Sequence, residues 1–168
     1  MEDVVFFSSS MLAVMIYLRC KMERINEENQ VLCDTRYEGS CHCGAVTFSV
    51  KAPRQLIVWC WDCSICIMKR NEHFIVPQSM FTLRTGEDML TEYVFNTKIA
   101  KHMFCKVCGV QSYYRPRSNP DGVAITFTCL KDYKIIRHRI KHFNGQQWEN
   151  FISKSGIQKF SIDQNDEE

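Results

Sequence analysis

The sequence predicts a mainly β domain of antiparallel strands with few short helices. Three observations support this fold class. Short apolar runs alternate with polar residues at the period of two that half-buried strands show. Turns rich in Pro, Gly, Asn and Asp separate those runs, and no convincing amphipathic helix interrupts them. With 168 residues, of which 45% are hydrophobic, the chain suits a single domain with terminal extensions.

The predicted strands follow one another along the domain. In residues 45–50, the side chains of Val46, Phe48 and Val50 fall on one face, as expected of a strand with one buried side. Residues 148–152 are the best candidate for a helix. The predicted strands are residues 45–50, 56–59, 73–76, 81–84, 90–95, 100–104, 110–115, 123–128 and 136–143.

The two ends of the chain are predicted to lie outside the domain. Residues 1–36 form a variable N-terminal extension, residues 37–151 form the domain, and residues 152–168 form a C-terminal tail. Residues 4–18 are uncharged, but acidic residues precede them, and a spanning helix needs about 20 apolar residues. We therefore expect them to pack on the domain or to extend loosely, with a membrane anchor as the weaker alternative.

Charge and cysteine content narrow the class of protein. A net charge of +2 gives no strong indication of nucleic-acid binding, which usually calls for a pronounced basic face. Ten cysteines indicate either a disulfide framework or metal ligation. Several are too close in sequence to bond easily to each other, although their sulfurs could converge on one ion. This spacing favours zinc and an intracellular, reducing compartment, cytoplasmic or nuclear.

Two close cysteine pairs predict a structural zinc site. Cys41 and Cys43 lie at the start of the domain, and Cys105 and Cys108 lie near its middle. Four thiolates from two such turns make the closed tetrahedral set of a structural zinc ion. The ion would join distant parts of the chain, so its binding would contribute directly to folding.

A third group of cysteines predicts a second metal site. Cys60, Cys63 and Cys66 lie within seven residues and could hold zinc with one position left open for chemistry. A structural site completed by a distant ligand is an alternative. A redox pair of Cys60 and Cys63 is a weaker one, because the pattern predicts no strand-to-helix turn of the kind that lowers a thiol pKa in thioredoxin-like proteins.

Several motifs together resemble the family of glutathione-dependent formaldehyde-activating enzymes, over residues 37–151. The family motifs are GSCHCGAV at 39–46, CSIC at 63–66 and FCKVCG at 104–109. Other segments look closest to the centromere protein V branch of this family. They are HFIVP at 73–77, FNT at 95–97 and YRPRSNP at 114–120.

The resemblance implies a β-tent related to Mss4-like zinc proteins, with two zinc ions per chain. Its structural zinc would fall on the four cysteines already assigned. Its catalytic zinc uses a Cys-x-Cys-x-x-Cys motif, whose last two positions match Cys63 and Cys66, while the first falls on Trp61. Cys60 lies one residue earlier, and one residue reverses the side of a strand to which a side chain points. Either a bulge brings Cys60 to the ion, or only two ligands remain.

The implied activity is that of a carbon–sulfur lyase. The catalytic zinc would bind glutathione or a similar thiol, which would condense with formaldehyde to S-hydroxymethylglutathione. Arg137, Arg139 and Lys141, or Lys69 and Arg70, are candidates for holding its carboxylates, although such residues more often form a solvated face. His73 and His102 are expected to pack or to form hydrogen bonds.

The alternative function is a non-catalytic zinc-binding module. The centromere protein V branch is associated with centromeres, chromatin and microtubules, which the resemblance carries over as an alternative. The segment before residue 37 mixes acidic and basic residues and offers no basic arm for DNA or tubulin. We therefore favour the enzyme-like assignment.

Overall fold

The structure, a computed structural model, describes residues 35–162. The predicted extension lies outside the described residues apart from Thr35 and Arg36, and so does the membrane contact considered for residues 4–18. Over the described range, no helix is long and apolar enough to cross a membrane.

Ten short strands are the main regular structure of residues 35–162, which confirms the mainly β prediction. Two α-helices accompany them: α1 spans Ser64–Lys69 and α2 spans Trp148–Ser155. The strands are β1 (Thr35–Ser40), β2 (Thr47–Ala52), β3 (Leu56–Trp61), β4 (Glu72–Pro77), β5 (Phe81–Thr85), β6 (Leu90–Tyr93), β7 (Lys101–Cys105), β8 (Tyr113–Arg115), β9 (Gly122–Thr126) and β10 (His138–Phe143).

The strands form two sheets. One has three strands in the order β1-β2-β5, and the other has seven in the order β10-β3-β4-β9-β8-β7-β6. Every neighbouring pair is antiparallel except β10 and β3, which run parallel, with Cys60 opposite His142. The antiparallel prediction is thus right for all but this pair, whose strands lie far apart in sequence.

Strand β3 contributes alternate side chains to two hydrophobic clusters. Leu56 and Val58 belong to the main core, which also contains the buried face of β2. Trp59 and Trp61 belong to a second cluster, formed with residues of β4, β8, β9, α1 and the C-terminal segment. Successive side chains of a strand point to opposite faces, so β3 divides the two clusters.

Helix α1 is the main departure from the prediction, which placed no helix between the strands at 56–59 and 73–76. Cys63 is its N-cap residue. Arg70 ends it in the left-handed conformation, with φ of 49°, and the Arg70 N–H points to the carbonyls of Cys66 and Ile67. The helix has six residues, too few for a helical pattern to stand out in sequence.

The C-terminal helix confirms the prediction near residue 148, but packing continues beyond the predicted domain boundary at residue 151. A 3-10 helix over Ile157–Ser161 follows α2, and Ile157 is fully buried in the second cluster. The Asn119 side-chain amide lies 3.0 Å from the Ile157 carbonyl and 2.9 Å from the Ser161 hydroxyl. The packed unit therefore reaches Ser161.

Candidate metal centre and adjoining cavity

The four-cysteine centre is assembled by two turns. Cys41 follows β1 directly, and Cys105 is the last residue of β7. Each turn closes through a left-handed glycine, Gly44 with φ of 78° and Gly109 with φ of 72°, a conformation that glycine adopts without steric cost. The Gly109 N–H donates to the Cys105 carbonyl at 2.8 Å. The turns thereby direct two thiols each toward the same point.

The sulfur positions fit a tetrahedral zinc ion. The Sγ atoms of Cys41, Cys43, Cys105 and Cys108 all lie within 4.8 Å of one another. The Cys41–Cys43 distance is 3.6 Å and the Cys43–Cys105 distance is 3.7 Å. Four sulfurs bound to zinc at about 2.3 Å would be about 3.8 Å apart. The four cysteines predicted from spacing are therefore the set that the fold brings together, and they could hold a metal.

Backbone N–H groups lie close to the sulfur atoms of this centre and lower the pKa of two of the four thiols. The Val46 N–H donates to the Cys41 Sγ at 3.3 Å. The N–H groups of Cys108 and Val107 lower the pKa of Cys105. Burial by itself raises the pKa of Cys108. The Val110 N–H and neighbouring groups lower it by more than this, and the resulting pKa is about 6.

Cys43 holds its proton more firmly than a free cysteine does. The Ala45 N–H lowers the pKa of Cys43, but burial and the other three thiols outweigh it and raise the pKa to about 12. A metal ion has to displace this proton, and metal binding should therefore strengthen as the pH rises.

The second group of cysteines is arranged differently. Within residues 35–162, no second set of three His, Cys, Asp or Glu side chains has its ligand atoms all within 4.8 Å, so Cys60, Cys63 and Cys66 do not converge in this way. Cys63 and Cys66 both contribute to the second cluster, whereas Cys60 belongs to neither cluster. The three thiols are thus not brought together as closely as the four of the first centre, and the second zinc stays a prediction.

Trp61 takes the place that the family motif gives to a cysteine. Its ring is stacked on Phe143 with centroids 4.3 Å apart, and it lies 5.5 Å from the ring of His73. It is 7% exposed and packs in the same cluster as Cys63 and Cys66. The strand register therefore sends Trp61, rather than Cys60, into that cluster.

Cys63 and Cys66 have opposite protonation tendencies. Interaction with the Cys66 thiol, followed by the N–H groups of Cys66 and Ile65, lowers the pKa of Cys63 to about 7. Interaction with Cys63, together with burial, raises the pKa of Cys66. The turn from β3 into α1 thus supplies the strand-to-helix setting that the sequence did not predict, and it does so for Cys63 and Cys66 rather than for Cys60 and Cys63.

Gly145 closes over Cys63 from the loop after β10. A Cβ atom on Gly145 would lie 2.7 Å from the Cys63 Cβ, so only glycine fits here. The Gly145 N–H donates to Asp62 Oδ1 at 2.5 Å. Gly145 could not be predicted from the sequence, because a contact between distant residues leaves no periodic pattern in it.

A cavity of about 430 Å³ opens beside α1. Cys60 and Cys66 both line it, although Cys63 does not. Besides the thiols, its charged and ionisable lining is Asp62, Arg70, Glu72 and His142. The cavity thus brings two thiols next to groups of both signs.

Of the basic residues proposed to hold glutathione, Arg70 alone lines this cavity. Lys69 instead donates to Gln111 Oε1 at 2.7 Å, and burial lowers its pKa. Arg139 and Lys141 are exposed on β10, and Arg137 is exposed just before it.

A buried polar network borders the second cluster. His73 is fully buried, its Nε2 lies 3.0 Å from the Tyr114 hydroxyl, and burial lowers the His73 pKa to about 3. His102 stacks on Tyr114 with centroids 5.1 Å apart, and burial lowers its pKa as well. His73 thus packs and forms a hydrogen bond, and His102 packs, as predicted, while the part played by Tyr114 was not foreseen.

Comparison with known proteins agrees with this geometry. The chain resembles a crystal structure of a Rhodobacter sphaeroides protein, a Northeast Structural Genomics target, with 28% identity and a TM-score of 0.53. That match covers 62% of this chain and 99% of the other. The family model described as glutathione-dependent formaldehyde-activating enzyme matches residues 36–146, which include all seven cysteines discussed above. The chain therefore belongs to the family of glutathione-dependent formaldehyde-activating enzymes.

Proposed function

We propose that the protein binds a small thiol of the glutathione type, or its adduct with an aldehyde, in the cavity beside Cys60 and Cys66. The activity class is that of a carbon–sulfur lyase acting on S-hydroxymethylglutathione-like adducts inside the cell, with a structural zinc at the four-cysteine centre. The observation that carries this proposal is the cavity itself. Its volume of about 430 Å³ lies in the range of small-molecule sites, and two thiols and one arginine line it.

The charges around the cavity suit glutathione. The tripeptide carries two carboxylates and one ammonium group, and a guanidinium can hold a carboxylate through two parallel hydrogen bonds. Arg70 supplies the guanidinium, and Glu72 supplies a carboxylate for the ammonium group. Arg70 is the C-cap of α1, so the backbone of that helix end fixes its position.

The reaction is a single addition of the thiol to the aldehyde, and it requires no covalent bond to the protein. The thiol sulfur forms a bond to the aldehyde carbon, and the thiol proton passes to the aldehyde oxygen, which becomes a hydroxyl group. The reverse reaction breaks the same carbon–sulfur bond. The residues of the cavity would position the thiol and limit its contact with water. The second zinc remains a prediction at Cys60, Cys63 and Cys66, and binding of the thiol does not require it.

Binding of reduced glutathione to the full chain, followed by NMR titration, tests the thiol site. We expect Arg70→Ala to weaken binding about tenfold, as for the loss of a charge-assisted hydrogen bond. Lys51→Ala is the matched control, because Lys51 is an exposed cation on the other sheet. Equal affinities for the two variants, or no binding by the wild type, would contradict the proposal.

A second candidate function is a non-catalytic zinc-stabilised module of the centromere protein V type. It is favoured by Trp61, whose indole packs with Cys63 and Cys66 where the family motif has a metal ligand. Such a module would keep the four-cysteine centre for stability and use its surface for partners.

Zinc content and adduct exchange distinguish the two functions. The enzyme predicts faster exchange between formaldehyde, glutathione and their adduct, and if excess zinc loads a second ion, Cys63→Ser should remove it. The module predicts one ion, unaffected by Cys63→Ser, and no acceleration. Cys129→Ser serves as the control, since Cys129 lies outside both cysteine groups.

A further inference from the structure

Cys63 and Cys66 lie together without a third thiol. Cys63 is the residue before α1, and Cys66 follows one helical turn later, which places the two side chains on one face of the helix. Both contribute to the second cluster, to which Cys60 does not belong. Trp61, stacked on Phe143, fills the neighbouring space. The cluster therefore contains a pair of thiols rather than a triad.

We infer that Cys63 and Cys66 form a redox-active dithiol, which exchanges with small disulfides such as oxidised glutathione and closes to an intramolecular disulfide. Side chains three residues apart on a helix have Cβ atoms about 5–6 Å apart. A disulfide joins Cβ atoms about 3.5–4.5 Å apart, so the bond needs only a small adjustment at the first turn of α1. This inference concerns oxidation of the two thiols when no metal is bound to them, and it goes beyond the proposed carbon–sulfur chemistry.

The two thiols differ in accessibility, which fixes their order of reaction. Cys63 is half-buried at the start of α1, whereas Cys66 is 5% exposed. A small disulfide from solution therefore meets Cys63 first. Cys66, protected from the solvent, is placed to attack the mixed disulfide from within the protein.

The exchange balances without any further reactant. The Cys63 sulfur attacks one sulfur of the small disulfide, whose other half leaves as a thiolate. The Cys66 sulfur then attacks Cys63, and the second half of the small disulfide leaves as a thiolate. The pair gives up two electrons and two protons, and one small disulfide becomes two small thiols.

Peptide mapping of the full chain tests the inference. The protein is incubated with excess oxidised glutathione, alkylated and digested with trypsin, which places all three thiols in peptide 55–69. We expect this peptide from wild type and from Cys60→Ser to contain a Cys63–Cys66 bond, so that these two residues take up no alkyl group. Cys66→Ser should retain glutathione on Cys63, about tenfold more than on Cys60, because the resolving thiol is missing.

A parallel sample contains a zinc chelator, at a concentration that leaves the near-UV circular dichroism unchanged, so that a bound ion cannot protect the pair. A fully reduced peptide in both wild-type samples would overturn the inference. A bond that joins Cys60 to either of the other two cysteines would overturn it as well. The wild-type measurement stands even if a serine variant does not fold.

Discussion

The two cysteine groups start from similar sequence patterns and end in different geometries. The four-cysteine centre takes its ligands from two turns, where the backbone is free to direct neighbouring thiols to one point. The group from Cys60 to Cys66 begins inside β3 and ends inside α1. There the strand register sends Cys60 away from the cluster that contains Cys63 and Cys66. Cysteine spacing thus led to four convergent thiols where turns carry the ligands, whereas the second zinc site stays a prediction.

The largest expected effect is loss of the four-cysteine centre. Cys41→Ser should remove the structural zinc and destabilise the fold by about 4 kcal/mol or more, the range seen when a structural metal is lost. Zinc per chain and thermal unfolding measure both outcomes. Cys129→Ser is the control, since it lies outside the ligand set and should keep the ion. If Cys41→Ser kept both its zinc and its stability, the four-cysteine centre would not be the structural metal site that distinguishes it from the group Cys60 to Cys66.

Trp61→Cys tests whether register alone separates the two groups. Replacing the buried indole should cost about 3 kcal/mol, because its stacking on Phe143 is lost and a void remains. The new thiol should also add about one zinc ion per chain, since it would lie on the side of Cys63 and Cys66. Metal analysis after gel filtration measures the gain.

Trp59→Cys is the matched control for that substitution. Trp59 is a neighbouring indole of the same cluster, so its loss should cost a similar amount of stability. It does not occupy the motif position, and we expect no gain of zinc. Equal zinc content in Trp59→Cys and Trp61→Cys would show that strand register does not decide whether a third thiol binds zinc with Cys63 and Cys66.

Acid should weaken the second cluster through His73. The His73 pKa falls from 6.5 to about 3 because the ring is buried, so the unfolded chain binds a proton below pH 6.5 that the folded chain does not. Stability is therefore lost as the pH falls from 6.5 toward 3. Between pH 6.5 and about 5, wild type should lose about 2 kcal/mol more than His73→Phe.

Comparing these two proteins cancels the acid-induced loss of zinc, which affects both. His138→Phe, at an exposed position on β10, should follow wild type in denaturant titrations across this pH range. Parallel curves for wild type and His73→Phe would show that His73 does not couple folding to pH.

The smallest expected effect belongs to Cys60. It lies in neither hydrophobic cluster, so Cys60→Ser should change the free energy of unfolding by less than about 0.5 kcal/mol. Cys66→Ser places a hydroxyl at a buried position and should cost about 1–3 kcal/mol. Urea denaturation of both variants measures the difference, and a larger cost for Cys60→Ser would indicate that it does join the other two cysteines.

Local patterns sufficed for much of the fold and for the four-cysteine centre. The alternation of Val46, Phe48 and Val50 predicted a strand whose buried face now lies in the main core. The sequence did not reveal α1, because a helix of six residues shows less than two turns of periodicity. The position of Gly145 over Cys63 and the hydrogen bond between His73 and Tyr114 depend on contacts between distant residues, which one sequence does not display.

The attachment of Ile157 and Ser161 to Asn119 bears on the order in which the protein can fold during its synthesis. All ligands of the four-cysteine centre have left the ribosome soon after Cys108 emerges. The second cluster lacks Ile157 until synthesis has passed residue 157. Folding of a nascent chain proceeds from its N-terminal side. The zinc centre can therefore form first, while the Cys63–Cys66 pair stays accessible to cellular thiols until Ile157 has been made.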